Sequence, residues 1–322
     1  MTPLISVVIP TFNRPQLLEA CLGKLLDQTL APREYELIVA DDADSATTRD
    51  QVVKLSESTP VRLRYIAVTG PHGPAAARNR GWRAAAADAI AFTDDDCLPD
   101  RDWLRSGLAM LDLDADAVWG RIIMPLPEQP TDYERDAANL AEAEFVTANC
   151  FCRKDWLKRV NGFDECFRCA WREDSDFFFS LLERGANVRH EADAIVIHPI
   201  RRAPWGVSVK QQRKVFFDAL LYRKHPDLFR RKIRPTPPWH YYVIVLAVLV
   251  FVAASLLDAP RVAVLAALIW AALTARFIYV RLRDTRKNFS HIAEMFVTSI
   301  LIPPLALFWQ WAGAWRFRAF YL

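Results

Sequence analysis

Acidic residues are scarce in the last third of this chain. Residues 206–322 hold five Asp/Glu against 17 Lys/Arg, a net of +12, whereas residues 1–205 hold 33 against 24, a net of −9. The overall +3 therefore averages two unlike halves. No internal repeat and no low-complexity tract is present. No Gly-rich, Lys-bearing phosphate loop stands near the N-terminus, which argues against nucleotidyl transfer. "MTPLISVVIPTF" lacks a basic leading region, and its apolar stretch ends at Pro10, so no secretory signal is read there. The N-terminal half is expected in the cytoplasm, with its cysteines as reduced thiols.

Charge is also missing from long apolar runs in the basic half. Tyr241–Leu257 carries none, Val262–Val280 carries only Arg276, and Met295–Trp315 carries none. The first two have the length needed to cross about 30 Å of hydrocarbon. Trp239, Tyr241, Tyr242, Trp309, Trp311 and Trp315 near the run ends fit an interfacial belt. A basic partner for nucleic acid is the weaker reading, because the positive charge accompanies these runs; no nucleic acid is expected. The stretch "VKQQRKVFFDALLYRKHPDLFRRKIRP" is expected to lie on anionic lipid, a solvated helical face being the alternative. The positive-inside rule puts this stretch and Arg281–Lys287 on the cytoplasmic side, with "DAPR" outside. For the third run we expect a re-entrant hairpin broken at Pro303–Pro304, which returns Arg316 and Arg318 inside, a third crossing that leaves them outside being the alternative. The protein is thus expected in the inner or plasma membrane as a multi-pass chain.

The first 200 residues alternate apolar strands ("LISVVIP", "YELIVADD", "VRLRYIAV", "AIAFTDDD") with helix-like stretches. Such alternation predicts an α/β fold with a mostly parallel sheet flanked by helices, followed by an α-helical membrane region. Ligands gather at the carboxyl ends of such strands, where Asp41, Asp42 and Asp94, Asp95, Asp96 fall. The expected division is 1–205 for the α/β domain, 206–239 for the basic juxtamembrane segment and 240–322 for the membrane region.

Five motifs in order, "SVVIPTFNRP", "ELIVADD", "GPAAARNRG", "FTDDDCLP" and "WREDSDF", resemble family 2 glycosyltransferases with the Rossmann-like GT-A fold. The resemblance implies transfer of a sugar from a nucleotide-diphosphate donor, with Mn²⁺ or Mg²⁺ shielding the departing diphosphate. Within it, Asp94–Asp96 form the DxD element, Asp96 being the metal ligand and Asp94 and Asp95 facing nucleotide. Asp42, with Asp41 beside it, would read uracil, Pro10, Thr11 and Phe12 would frame the base, and Arg78 would meet the nucleotide. "DDADS" departs from the family's usual DDGS through Ala43. Asp174 takes the place of the catalytic base for an inverting transfer, with Glu173 and Asp176 orienting the acceptor. His198 is a further candidate metal ligand, a structural histidine at a strand end being the alternative.

"CFC" and "CFRC" (Cys150, Cys152, Cys166, Cys169) invite a zinc reading, but buried or partly exposed thiols are the favoured one. The QxxRW signature of processive synthases is absent after Asp174, so one sugar per encounter is expected. Location beside a membrane implies a membrane-associated or lipid-linked acceptor. The alternatives are a non-enzymatic scaffold that binds sugar nucleotides at the membrane, and a nucleotidyltransferase.

Overall fold

A computed structural model describes residues 2–321, which form two compact units. The first holds the chain up to Pro125 together with Ala138–Ile200, and the second holds Leu126–Ala137 together with the chain from Arg201 onward.

In the first unit, β1 (Ile5–Thr11) and β2 (Tyr35–Asp41) are covered on both faces, as their unbroken apolar runs require. They pair in parallel with each other, with β3 (Arg62–Ala67) beyond β2 and β4 (Ala89–Phe92) beyond β1. The intervening helices are α1 (Pro15–Leu26), α2 (Ala46–Ser58) and α3 (Pro74–Ala84). α1 buries Leu18, Cys21, Leu22 and Leu25, a one-stripe spacing. Complete burial of each such leucine contributes roughly 1.5–3 kcal/mol. α3 comes very close to the sheet, and a Cβ at Gly81 would lie 2.3 Å from a Val8 methyl.

The chain then adds β5 (Leu98–Pro99), α4 (Trp103–Asp112), β6 (Ala117–Ile123), β7 (Cys150–Arg153), α6 (Lys154–Val160), α7 (Glu173–Glu183) and β8 (Val188–Ile197). The eight strands run in the order β3-β2-β1-β4-β7-β6-β8-β5. β7 enters antiparallel between β4 and β6, while β6 and β8 are parallel. Asn149 ties this half together: its amide donates to the carbonyls of Arg121 (3.0 Å) and Ala194 (2.8 Å) and accepts from Trp103 Nε1 (2.8 Å). The short β5 pairs antiparallel with the end of β8, Leu98 opposite Ile197. That pairing brings the aspartate cluster beside His198.

The second unit contains α5 (Asp132–Ala138), α8 (Val207–Gln211), a 3₁₀ segment over Gln212–Phe217, α9 (Asp218–Lys224), α10 (Pro226–Leu228) and three long helices. These are α11 (Trp239–Leu256), α12 (Pro260–Leu282) and α13 (Phe289–Phe317), each long and apolar enough to cross a membrane. α11 and α12 pack as a hairpin, with Tyr241 against Phe277, ring centroids 5.6 Å apart. Arg281, in the last turn of α12, is buried and fully engaged. It donates to Asp132 Oδ2 (2.8 and 3.0 Å), Thr298 (2.7 Å), Ser299 (3.0 Å) and Ser208 (3.0 Å).

The hairpin expected at Pro303–Pro304 does not form. α13 runs unbroken for 29 residues with both prolines inside it. Proline removes an N–H from the ladder but does not force a reversal where neighbouring packing holds the helix on both sides of the gap. Here Thr298, Ser299, Ile302, Pro303, Ala306 and Leu307 are all buried.

Candidate active site

The level register of β1, β2 and β4 places their carboxyl ends at one edge of the sheet. The three aspartates after β4 have different tasks there. Asp95 turns inward: it accepts from Thr11 Oγ1 (2.7 Å) and Arg14 Nη1 (3.1 Å), fastening the end of β4 to the end of β1. Burial raises its pKa, and those two partners oppose the rise. Asp94 accepts from Arg78 Nη2 at 2.8 Å. Asp96 is buried, with Oδ1 3.7 Å from His198 Nε2.

Asp96, Cys97 and His198 offer ligand atoms within 4.8 Å of one another. The Cys97 thiol is pushed well above its usual pKa by burial, then by Asp94 and Asp96, so it is a poor ligand beside two good ones. His198 Nδ1 is buried without a hydrogen-bond partner, so the ring turns its Nε2 toward Asp96 with its other nitrogen unsatisfied. A carboxylate and an imidazole side by side fit a borderline cation such as Mn²⁺, and the carboxylate alone fits Mg²⁺. The residues present thus suit a divalent ion. Among the described residues the four cysteines do not converge on one point: Cys150 and Cys152 are buried in β7 and Cys166 is exposed.

Arg78 occupies an unexpected place. It is only 3 % exposed. It donates from Nη2 to Asp94 and from Nη1 to Glu173 Oε1 (3.0 Å). The aspartate cluster and the start of α7 are therefore joined through one guanidinium. Burial alone would lower the Arg78 pKa, but Asp94 and Glu173 hold it firmly charged. Glu173 stays under strain: burial and Asp174 push its pKa up to about 7, against the pull of Arg78. Its Oε2 has no partner.

Asp174 follows at the first turn of α7, accepting from the Ser175 N–H at 2.7 Å. Burial raises its pKa, opposed by that N–H and by Arg172 and Arg78. Arg172, immediately before the helix, is left-handed at φ 75° and stacks over Trp171 at 4.5 Å. A non-glycine residue held there costs free energy that surrounding contacts must offset. Asp176 is buried one turn behind the helix start.

At the nucleotide end, Asp41 is wholly buried and accepts from the N–H groups of Ala43 and Ser45 and from Tyr65 OH. It shapes the turn after β2. Asp42 is more open: Oδ2 accepts from Gly73 N–H (2.8 Å), and Oδ1 lies 3.0 Å from His72 Nδ1. Gly73 has φ 121°, and a Cβ there would meet the Arg168 carbonyl at 3.2 Å. Phe12 is exposed at the end of β1, Thr11 is buried, and Pro10 is half-buried. Sequence reasoning missed Arg14, His72, Cys97 and Asn79. Asn79 binds the loop before α7 through Phe163 N and O and Glu165. Its position inside "ARNRG", next to Arg78, was the available signal.

Comparison with known proteins agrees with this geometry. The chain is 41% identical over 273 residues to validoxylamine A glucosyltransferase of Streptomyces hygroscopicus subsp. limoneus, covering 70% of this chain and 58% of that protein. It is 27% identical over 223 residues to glycosyltransferase AglE of Haloferax volcanii, covering 66% of this chain and 72% of AglE. The mannosyltransferase PcManGT of Pyrobaculum calidifontis, solved with GDP-Man and Mn²⁺, superposes with a TM-score of 0.59 at 17% identity, over 99% of this chain and 88% of that one. That likeness bears out the GT-A-like sheet with flanking helices. Residues 6–176 match the model of glycosyl transferase family 2, and the chain is a glycosyltransferase of that family.

Proposed function

We propose that this enzyme catalyses an inverting, one-sugar-at-a-time transfer from a nucleotide-diphosphate sugar to a hydroxyl of a membrane-associated acceptor. The observation that carries the reading is the continuous link Asp94–Arg78–Glu173, which joins the donor side of the site to the residue beside Asp174.

Phe12 and Asp42 hold the base, a uracil N3–H having its acceptor in the Asp42 carboxylate. Asp96 and His198 would hold Mn²⁺ or Mg²⁺, which supplies Lewis-acid stabilisation of the diphosphate as charge builds on it. Arg78 keeps Asp94 and Glu173 fixed beneath the reacting centre. Asp174 takes the proton from the acceptor hydroxyl as that oxygen attacks the anomeric carbon from the side opposite the diphosphate. Its raised pKa makes it a better base than a solvated aspartate. Phe163, beside the Arg78 guanidinium and packed on Phe177 of α7, supplies an apolar backing that limits water around the charged link.

The apolar helices of the second unit supply the reason for a membrane-associated acceptor, with membrane lipids as the other partner and the catalytic unit on the cytoplasmic side. A second reading, transfer to a free compound, is favoured by the relative named for validoxylamine A. Purified full-length enzyme in lipid nanodiscs, given Mn²⁺ and a panel of nucleotide sugars, separates the two. Turnover with lipid-linked acceptors and an inverted anomeric signal by NMR support the proposal. Transfer only to free acceptors, or retention at the anomeric carbon, contradicts it.

A further inference from the structure

Three helices are long and apolar enough to cross a membrane, but the contacts of α13 within the second unit set it apart from the α11–α12 hairpin.

First, two well-separated points of α13 lie beside one end of the α11–α12 hairpin. Arg281 in the last turn of α12 donates to Thr298 and Ser299, and the Tyr242 hydroxyl in the first turn of α11 lies near Trp311 without a hydrogen bond to it. Those two helix ends stand at one level of the hairpin, since Tyr241 packs on Phe277. The two points on α13 are 12 to 13 residues apart, about 20 Å along its axis. A helix that ran alongside α11 and α12 through the bilayer would meet successive levels of them. One level of the hairpin thus stands beside two distant points of α13, as a steep crossing requires.

Second, α13 is accompanied along its whole length by the basic segment. Trp205 and Gly206 bond Ser290 and Glu294, and Ser208 meets Thr298 and Ser299 through Arg281. The Phe216 backbone abuts Gly313, and Phe216 packs on Phe317 at 5.1 Å. Arg223 donates to the Phe317 carbonyl at 3.2 Å. Exposed Lys210 and Arg213 thus stand opposite the middle of α13, and Arg213 lies over the Trp309 ring at 6.0 Å. If α13 spanned, these charges and the irregular 212–217 backbone would be carried into hydrocarbon beside it, where neither is tolerated.

The remaining face of α13 is apolar and open. Val297, Ile300, Leu301, Phe308, Trp311 and Trp315 follow a helical stripe on the side away from the buried one. An apolar stripe, aromatic residues and a flank of Lys/Arg describe a helix seated at the boundary of an anionic leaflet.

The geometry points to α13 as an in-plane helix docked on the anionic lipid surface at the end of the two-helix hairpin from which the basic segment extends. The chain then crosses twice only. Arg316 and Arg318 fall on the same side as Arg283 and Arg286, in keeping with the positive-inside rule without any break at the prolines. This inference rests on the membrane association proposed above and goes beyond it.

Nitroxide labels test it. Single cysteines are placed at exposed apolar positions of α13 (Phe296→Cys, Ile300→Cys, Phe308→Cys, Trp315→Cys) and of α11 (Leu249→Cys). The background is full-length protein with Cys166→Ser and Cys169→Ser, in vesicles of phosphatidylglycerol and phosphatidylcholine. Retained nucleotide binding reports that each variant is folded. The inference expects Leu249 at the bilayer centre and all four α13 labels at one shallow depth. Depth that rises to the centre near Ile300–Phe308 and falls beyond it overturns the in-plane placement while leaving membrane association intact. A water-exposed label at Leu249 removes both.

Discussion

The Arg78 guanidinium stands 2.8 Å from the Asp94 carboxylate, and its other amino group reaches Glu173. A buried cation between two carboxylates is the condition under which acidic residues can crowd a closed site, since each removed partner leaves an uncompensated charge. Arg78→Met should therefore destabilise the catalytic unit by roughly 3–5 kcal/mol. Arg78→Lys should keep most of the fold yet lose the two-pronged contact, lowering kcat. Urea unfolding and steady-state turnover check both halves of this expectation.

Asp174→Asn removes the proposed proton acceptor and keeps the shape. Turnover should fall by about a hundred- to ten-thousand-fold, with donor affinity little changed. Donor affinity measured by fluorescence quenching, beside the transfer rate, decides it. An unchanged rate would exclude Asp174 as the base.

Stability should carry the imprint of Glu173. Its folded-state pKa, raised to about 7, exceeds that of an unfolded glutamate. The folded protein therefore holds an extra proton between the two values, and stability falls as pH rises through that window. Glu173→Gln mimics the protonated form. Its melting temperature relative to wild type should climb between pH 5 and pH 8. A constant difference would contradict the raised pKa.

Gly73 lies where the backbone serves Asp42 directly. Gly73→Ala puts a side chain at φ 121° and against the Arg168 carbonyl. The cost should be roughly 1–3 kcal/mol. The donor KM should rise more than kcat falls, because the strained loop carries the N–H bonded to Asp42 rather than the reacting groups.

Much of the catalytic unit was legible in the sequence because its signals are local. The unbroken apolar runs of β1 and β2 could only be covered strands, and Asp94–Asp96 stood where a parallel strand ends. The division of labour within that triplet was not legible. It depends on Thr11 and Arg14, some 80 residues earlier, reaching Asp95. Asp96 and His198 were paired as metal ligands by the resemblance alone, since the two-residue strand β5 that brings them together by pairing with the end of β8 is too short to carry a periodic signal. The resemblance put Arg78 at the nucleotide, but nothing in "ARNRG" tells that α3 presses its face into the sheet and buries that guanidinium between Asp94 and Glu173. At the other end, Pro303–Pro304 gave a true local signal for a weakened helix. The wrong conclusion followed because the segment that packs alongside it lies 90 residues earlier.

The account turns most directly on the pairing of Asp96 with His198 as a divalent-ion site. Electron paramagnetic resonance of free Mn²⁺, titrated with full-length protein in the presence of UDP, reads it without turnover. Wild type should remove the free-ion signal, and Asp96→Ala and His198→Ala should each weaken uptake by at least about tenfold. Equal uptake by all three proteins, or none by wild type with any sugar nucleotide, would contradict it.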